Sequence, residues 1–296
     1  MSQRETVDRP KHHDDGIRSV AVIGAGTMGS GIAQIVAEAH VPVTMIDVAA
    51  PAVERGQRTI DDNWQRAIAK GRFDEGRADT ARQHLSVSTA YDAVATADLV
   101  IEAIVEDLEA KRRLFSDVSV QLRHDAVLAS NTSSISITQL AAATDRPDRV
   151  IGMHFFNPVP VMTLVEVVRG LLTSDATFGR VQSFAVRLGK TPVEVNDFPG
   201  FVSNRVLMPM INEAVFCLGE GVASTEAIDQ VMKLGMAHPM GPLALADLIG
   251  LDVCLDILTT LQRDLGEDKY RPAPLLRRMV AAGKLGRKSG EGFYRY

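Results

Sequence analysis

Cysteine is nearly absent from this chain: Cys217 and Cys254 are the only two, both in apolar helical surroundings. That excludes a disulfide framework or a thiolate metal cluster and leaves both as packing residues. Also missing is any excess of positive charge, the net being −5, which argues against a nucleic-acid partner while leaving room for local basic pockets. No stretch is long and apolar enough to span a bilayer, and Met1 to Gly16 is polar with no apolar signal region, so a soluble cytoplasmic protein without membrane partners is expected. In that segment Lys11-His12-His13 reads as solvated tail rather than a metal site. No internal repeat or low-complexity segment stands out. What remains is a chain of 296 residues with 46% hydrophobic content, enough for a sizeable core and two domains.

The first pattern with chemical content is Ser19-Val20-Ala21-Val22-Ile23, a buried strand running into Gly24-Ala25-Gly26-Thr27-Met28-Gly29. Glycines at these spacings allow a tight turn, close approach of backbone to a pyrophosphate, and close packing of the next helix. GxGxxG alone is weak evidence. Here it follows a strand, opens a helical segment from Ser30 to Ala39, and leads to a second strand, Val43 to Ile46, ending at Asp47. Asp47 lies 21 positions past Gly26, where a ribose diol is expected. A carboxylate there repels a 2′-phosphate, and Val48-Ala49-Ala50 supplies no arginine to attract one. NAD is therefore expected rather than NADP.

Short apolar runs then alternate with helical patterns: helices Ala52 to Lys70 and Asp74 to His84, strands Leu85 to Ser88 and Leu99 to Ala103, helix Leu108 to Gln121, strands Ala126 to Ala129 and Val150 to His154. That alternation implies an α/β fold, a Rossmann-type doubly wound parallel sheet. Ligands bind where such strands end, and Gly24, Asp47, Ser130 to Ser133 and His154 all lie there. A last strand, Pro192 to Val195, precedes Asn196-Asp197-Phe198-Pro199-Gly200, after which the periodicity is helical: Phe201 to Leu218, with Pro209 expected to kink it or shift its boundary, Thr225 to Met232, Leu243 to Leu265 and Pro274 to Ala282. The expected domains are 17–197 and, smaller and all-α, 198–296. So much apolar surface in a small helical domain is explained by burial against a second subunit or by its own core, and both explanations stay open.

Two ionisable residues sit where burial is expected: His154, closing Val150-Ile151-Gly152-Met153, and Glu166, inside Leu164-Val165-Glu166-Val167-Val168. Each needs a partner. Antiparallel strands joined near Pro160 pair residues whose numbers sum to 320, which makes each the other's partner. The carboxylate would fix the imidazole tautomer and favour the imidazolium, leaving the other ring nitrogen as a base.

The nucleotide turn, Ser130-Asn131-Thr132-Ser133-Ser134, His154-Phe155-Phe156-Asn157-Pro158 and the helical C-terminal region together resemble the short-chain L-3-hydroxyacyl-CoA dehydrogenases, over nearly everything from Ser19 to Tyr296. The resemblance implies NAD-dependent reversible oxidation of an (S)-3-hydroxyacyl-CoA, such as 3-hydroxybutyryl-CoA to acetoacetyl-CoA, by a homodimer joined through its C-terminal domain. It casts His154 as catalytic base, Glu166 as its orienting carboxylate, Ser133 as a contact of the substrate's 3-oxygen and the cofactor, and Asn204 as a residue at the substrate end of the helical domain. Glu106 and Lys111 match positions near the cofactor; Asn63 and Lys70 match substrate positions, Lys70 toward the phosphorylated adenosine of CoA.

Structural readings stand beside these. Ser133 and Asn204 are good helix caps, Glu106 a helix-start charge, Lys111 a solvated helix face, and Lys70 a favourable charge at a helix C-terminus. Competing functions are a dehydrogenase acting on a carrier-protein-bound acyl group or a sugar acid, one of the 3-hydroxyisobutyrate or 6-phosphogluconate type with a catalytic lysine, and a non-catalytic nucleotide-binding protein like the crystallins recruited from this fold. Acyl chain-length preference and physiological direction are not encoded in these motifs.

Overall fold

The computed structural model describes residues 15–296; the Lys11-His12-His13 segment lies outside them. The chain divides into two compact units, the first ending at Asp197 and the second running from Phe198 to Tyr296.

In the first unit the elements run β1 (Val20–Ile23), α1 (Thr27–Glu38), β2 (Val43–Ile46), α2 (Ala50–Ala69), α3 (Glu75–His84), β3 (Leu85–Ser88), β4 (Leu99–Glu102), α4 (Leu108–Ser119), β5 (Val127–Ser130), α5 (Ile137–Ala141), β6 (Val150–Phe155), β7 (Leu164–Arg169), α6 (Asp175–Arg187) and β8 (Thr191–Asn196). They build one sheet of order β3-β2-β1-β4-β5-β6-β7-β8. β1, β4 and β5 are buried at all four positions, as central parallel strands covered on both faces must be. Helix starts are chemically marked: Asp74 accepts from the Arg77 amide at 2.8 Å and Asp107 from the Ala110 amide at 2.8 Å, each satisfying an otherwise orphaned donor. α1 has no side-chain cap.

One edge of the sheet is not parallel, and there the antiparallel pairing expected around Pro160 is found. β6 and β7 pair antiparallel, and β8 pairs parallel to β7, so the last two strands oppose the other six. A parallel β7–β8 pair requires a crossover, and α6 provides it. α6 is not among the expected helices, although Phe178, Val181, Phe184 and Ala185 carry helical spacing and Ser174 caps the start by accepting from the Thr177 amide at 3.2 Å. The short α5 was also missed. α1 opens at Thr27, inside the glycine turn, three residues earlier than expected.

In the second unit lie α7 (Ser203–Gly219), α8 (Thr225–Gly235), α9 (Pro242–Ile249), α10 (Leu251–Leu265) and α11 (Pro274–Ala281). The single helix expected over Leu243 to Leu265 is two, broken at Gly250, whose φ of 107° no ordinary side chain adopts readily. α7 begins at Ser203 because Phe201 has φ 50°, and it continues through Pro209. Met208, Ile211, Val215, Leu243, Cys254, Leu258 and Leu261 form its core. Burial pushes the Cys254 thiol up to about 12, so it is a packing residue and not a reactive one.

Candidate active site

The nucleotide turn occupies the end of β1. Gly24 has φ 108°, and a Cβ there would lie 2.4 Å from the Ala103 carbonyl oxygen; one on Gly29 would lie 1.7 Å from that of Gly24. These two glycines let turn, helix and β4 close on one another. Gly26 differs: nothing lies within 4 Å of where its Cβ would be. With Thr27 it is exposed, while Met28 is half-buried and packs against the core. The uncapped N-terminus of α1 thus faces open space beside a glycine, an arrangement that fits a pyrophosphate. Asp47, just beyond β2, holds the turn: its carboxylate accepts from the Ala25 amide at 3.0 Å and the Ala49 amide at 3.1 Å. With two oxygens and about four lone-pair directions, it keeps capacity for a ribose diol.

Three strands away, the register places His154 opposite Glu166. Nδ1 of His154 and Oε2 of Glu166 are 2.7 Å apart, with the residues 7% and 3% exposed. The ring of Phe156 leans on the imidazole at 4.6 Å between centroids, and Asn131, after β5, accepts from the Phe155 amide at 2.9 Å. With Nδ1 directed at a carboxylate, the ring's tautomer and orientation are fixed.

Between these two features lies a polar network. Glu106 Oε1 accepts from the Thr132 hydroxyl at 2.6 Å, the Ser133 amide at 2.9 Å and the Ser134 amide at 3.1 Å, and Lys111 Nζ approaches Oε2 at 3.1 Å. Burial tends to raise the Glu106 pKa, but Lys111, the Thr132 hydroxyl and the Ser133 amide together hold it below the usual carboxylate range. Lys111 is 1% exposed, so the solvated-face reading is wrong. Its other partner is Glu102, at 2.6 Å and 0% exposed. Glu102 closes the apolar run Leu99-Val100-Ile101 just as His154 closes its own, the signal that marks it in the sequence.

Ser133 is not a helix cap: that position before α5 belongs to Ser136, which accepts from the Gln139 amide at 3.3 Å. Asn204 is buried in the first turn of α7, where the cap position is Val202. Asn63 is held within the fold, donating to Gln34 Oε1 at 2.8 Å and accepting from Arg66 Nη2 at 2.7 Å. Lys70 is exposed at the C-cap of α2, followed by Gly71 at φ 64°, the usual helix-ending glycine.

A dinucleotide turn with an acid after β2, and a buried histidine–carboxylate pair on the same sheet, define a dinucleotide-binding protein of the dehydrogenase type. Comparison with known families narrows this. Residues 19–198 match the model of the 3-hydroxyacyl-CoA dehydrogenase NAD-binding domain, and residues 200–296 that of the 3-hydroxyacyl-CoA dehydrogenase C-terminal domain. The chain belongs to the 3-hydroxyacyl-CoA dehydrogenase family. A Bacillus subtilis protein described as "probable 3-hydroxybutyryl-CoA dehydrogenase" is 56% identical over 280 residues, covering 95% of this chain and 98% of that protein. The 3-hydroxybutyryl-CoA dehydrogenase of Bradyrhizobium diazoefficiens is 51% identical, covering 95% of this chain and 96% of its own. The crystal structure of (S)-3-hydroxybutyryl-CoA dehydrogenase from Ralstonia eutropha superposes with TM-score 0.92 at 51% identity, covering 95% of this chain and 99% of that one. Among the described residues no helix is long and apolar enough to cross a membrane, and no group of three or more His, Cys, Asp or Glu could hold a metal ion.

Proposed function

We propose that the chain catalyses NAD-dependent, reversible oxidation of an (S)-3-hydroxyacyl-CoA to the 3-ketoacyl-CoA, with 3-hydroxybutyryl-CoA and acetoacetyl-CoA as the substrate pair. The observation carrying this reading is the His154–Glu166 contact of 2.7 Å in a chain whose two halves both match the family. Bound NAD supplies the hydride acceptor. In the forward direction His154 Nε2 would take the hydroxyl proton as C3 is oxidised; in reverse the imidazolium would return it to the carbonyl oxygen. Glu166 stabilises the imidazolium through Nδ1. Ser133 and Asn204 contribute positioning, holding the oxygen and the acyl group. Gly24, Gly26, Thr27, Met28, Gly29 and Asp47 receive the dinucleotide, and Glu106 and Lys111 shape its nicotinamide end.

The direct test is NADH consumption with acetoacetyl-CoA, run as a panel. NADH should outperform NADPH, and Asp47→Asn should narrow the gap, because the 2′-phosphate then meets no carboxylate. An enzyme that prefers NADPH would remove Asp47 from the ribose. In the same panel Lys70→Ala should raise KM for acetoacetyl-CoA and leave a truncated thioester lacking the nucleotide nearly untouched. Equal effects on both would return Lys70 to its helix-ending role. Asn63 is more remote from this reading, since its amide already serves Gln34 and Arg66.

The first unit serves the cofactor in this reading; the second serves substrate and a homodimer contact. Val206, Val231, Leu234 and Met236 of the α7–α8 region are exposed, an apolar surface of the kind that subunits cover. Sedimentation equilibrium at micromolar concentration should give the mass of a dimer, and a monomer there would exclude it. A cytoplasmic location belongs to the same proposal, because NAD and acyl-CoA esters are intracellular reactants; fractionation that recovers the protein outside the cytoplasm would reject it.

A further inference from the structure

Glu102 ends β4 and stands in register between Ile23 of β1 and Ser130 of β5, beside the nucleotide turn. A strand flanked on both sides usually ends here in an apolar residue; this one ends in a carboxylate with no solvent exposure, paired with an ammonium equally buried. Such a pair gains little over apolar packing of the same volume, because losing water offsets the attraction. What it does provide is fixed geometry. Glu102 Oε1 accepts from Lys111 Nζ at 2.6 Å and the Ile104 amide at 2.7 Å, and Oε2 accepts from the Ser130 hydroxyl at 2.6 Å.

Two routes lead outward from it to the same loop. Lys111 reaches Glu106 at 3.1 Å, and Glu106 gathers the Thr132 hydroxyl and the Ser133 and Ser134 amides. The Ser130 hydroxyl, for its part, accepts from the Thr132 amide at 3.1 Å. We propose that Glu102 is a positioning residue for the reaction: by fixing Lys111 and Ser130 it sets the conformation of the Thr132–Ser134 loop that presents Ser133 to the substrate oxygen. The inference rests on the reading of Ser133 as the residue that holds that oxygen.

The test uses the full chain carrying Glu102→Gln, and separately Glu102→Gln with Lys111→Met. The double variant removes both charges of the fully buried pair, leaves the partly exposed Glu106 its Thr132, Ser133 and Ser134 donors, and keeps the test available where the single one folds poorly. Amide hydrogen exchange over residues 131–136, measured without cofactor or substrate, should quicken by about tenfold in both variants while β4 and β5 exchange as before. kcat with acetoacetyl-CoA should fall about ten- to a hundredfold, the scale of a misplaced positioning group. Wild-type loop exchange and turnover in a folded Glu102→Gln enzyme overturn the proposal, as does wild-type loop exchange in the double variant. Ser133→Ala separates the two layers: lost turnover there with unaffected Glu102 variants rejects this inference alone, whereas normal turnover in Ser133→Ala rejects the reading beneath it.

Discussion

His154→Ala should lose turnover by about a hundredfold or more, the usual contribution of a positioned general base, with NADH affinity little changed. The separation of effects is the informative part. His154 lies on β6 and the glycine turn follows β1, with β4 and β5 between them, so removing the imidazole leaves the dinucleotide end of the sheet intact. Glu166→Gln should depress kcat as well, since the amide preserves size and a hydrogen-bonding oxygen but not the charge that stabilises imidazolium. Steady-state kinetics paired with an NADH fluorescence titration measures both. A Glu166→Gln enzyme of normal turnover would reduce Glu166 to a structural acceptor, and a fully active His154→Ala would dismiss the mechanism.

The second large effect lies in the glycine turn, where two similar substitutions should behave differently. Gly29→Ala places a methyl group 1.7 Å from the Gly24 carbonyl oxygen, so the turn must open. Overpacking of this kind costs about 1–3 kcal/mol, and both thermal stability and NADH binding should fall. Gly26→Ala meets no neighbour and keeps an extended backbone at φ −72° that alanine adopts freely. Its melting temperature should therefore stay put, surface changes usually lying within about 0.5 kcal/mol, while NADH affinity drops about tenfold, or ~1.4 kcal/mol. Calorimetry of the apo variants beside a binding titration distinguishes the two. Unaltered NADH binding in Gly26→Ala would mean that the pyrophosphate does not approach that residue.

Features set by short-range pattern could be read in advance. β2 and β3 match the sequence reading at both ends, because each is a short stretch whose β-branched or alternating apolar residues break the helical pattern before it. The His154–Glu166 register followed from two ionisable groups placed where neither could stay alone. Glu102 obeys the same logic, yet it went unread because its partner Lys111 lies on a helix, where strand arithmetic does not reach. α6 has legible local signs in its apolar spacing and the Ser174 cap, but nothing local announces that β7 and β8 run parallel, the pairing that makes a crossover helix obligatory. The break at Gly250 was hidden because the residues on either side continue one apolar pattern. For Ser133 and Asn204, a small polar residue near a helix start suggested capping, and only three-dimensional neighbours reveal that other residues hold those positions.

The reversal of chain direction at β6–β7 bears on the order in which the molecule assembles. His154 and Glu166 are only 12 positions apart, so little chain has to be closed to bring them together. Gly24, Asp47, Glu102 and Ser130 must instead be gathered from across more than a hundred residues by parallel pairing, which is intrinsically slow. The acid–base pair is thus a local product of folding and the nucleotide turn's surroundings a global one. Lesions in the outer parallel strands should accordingly trap chains that already hold their proton-transfer pair but have nowhere to bind a dinucleotide.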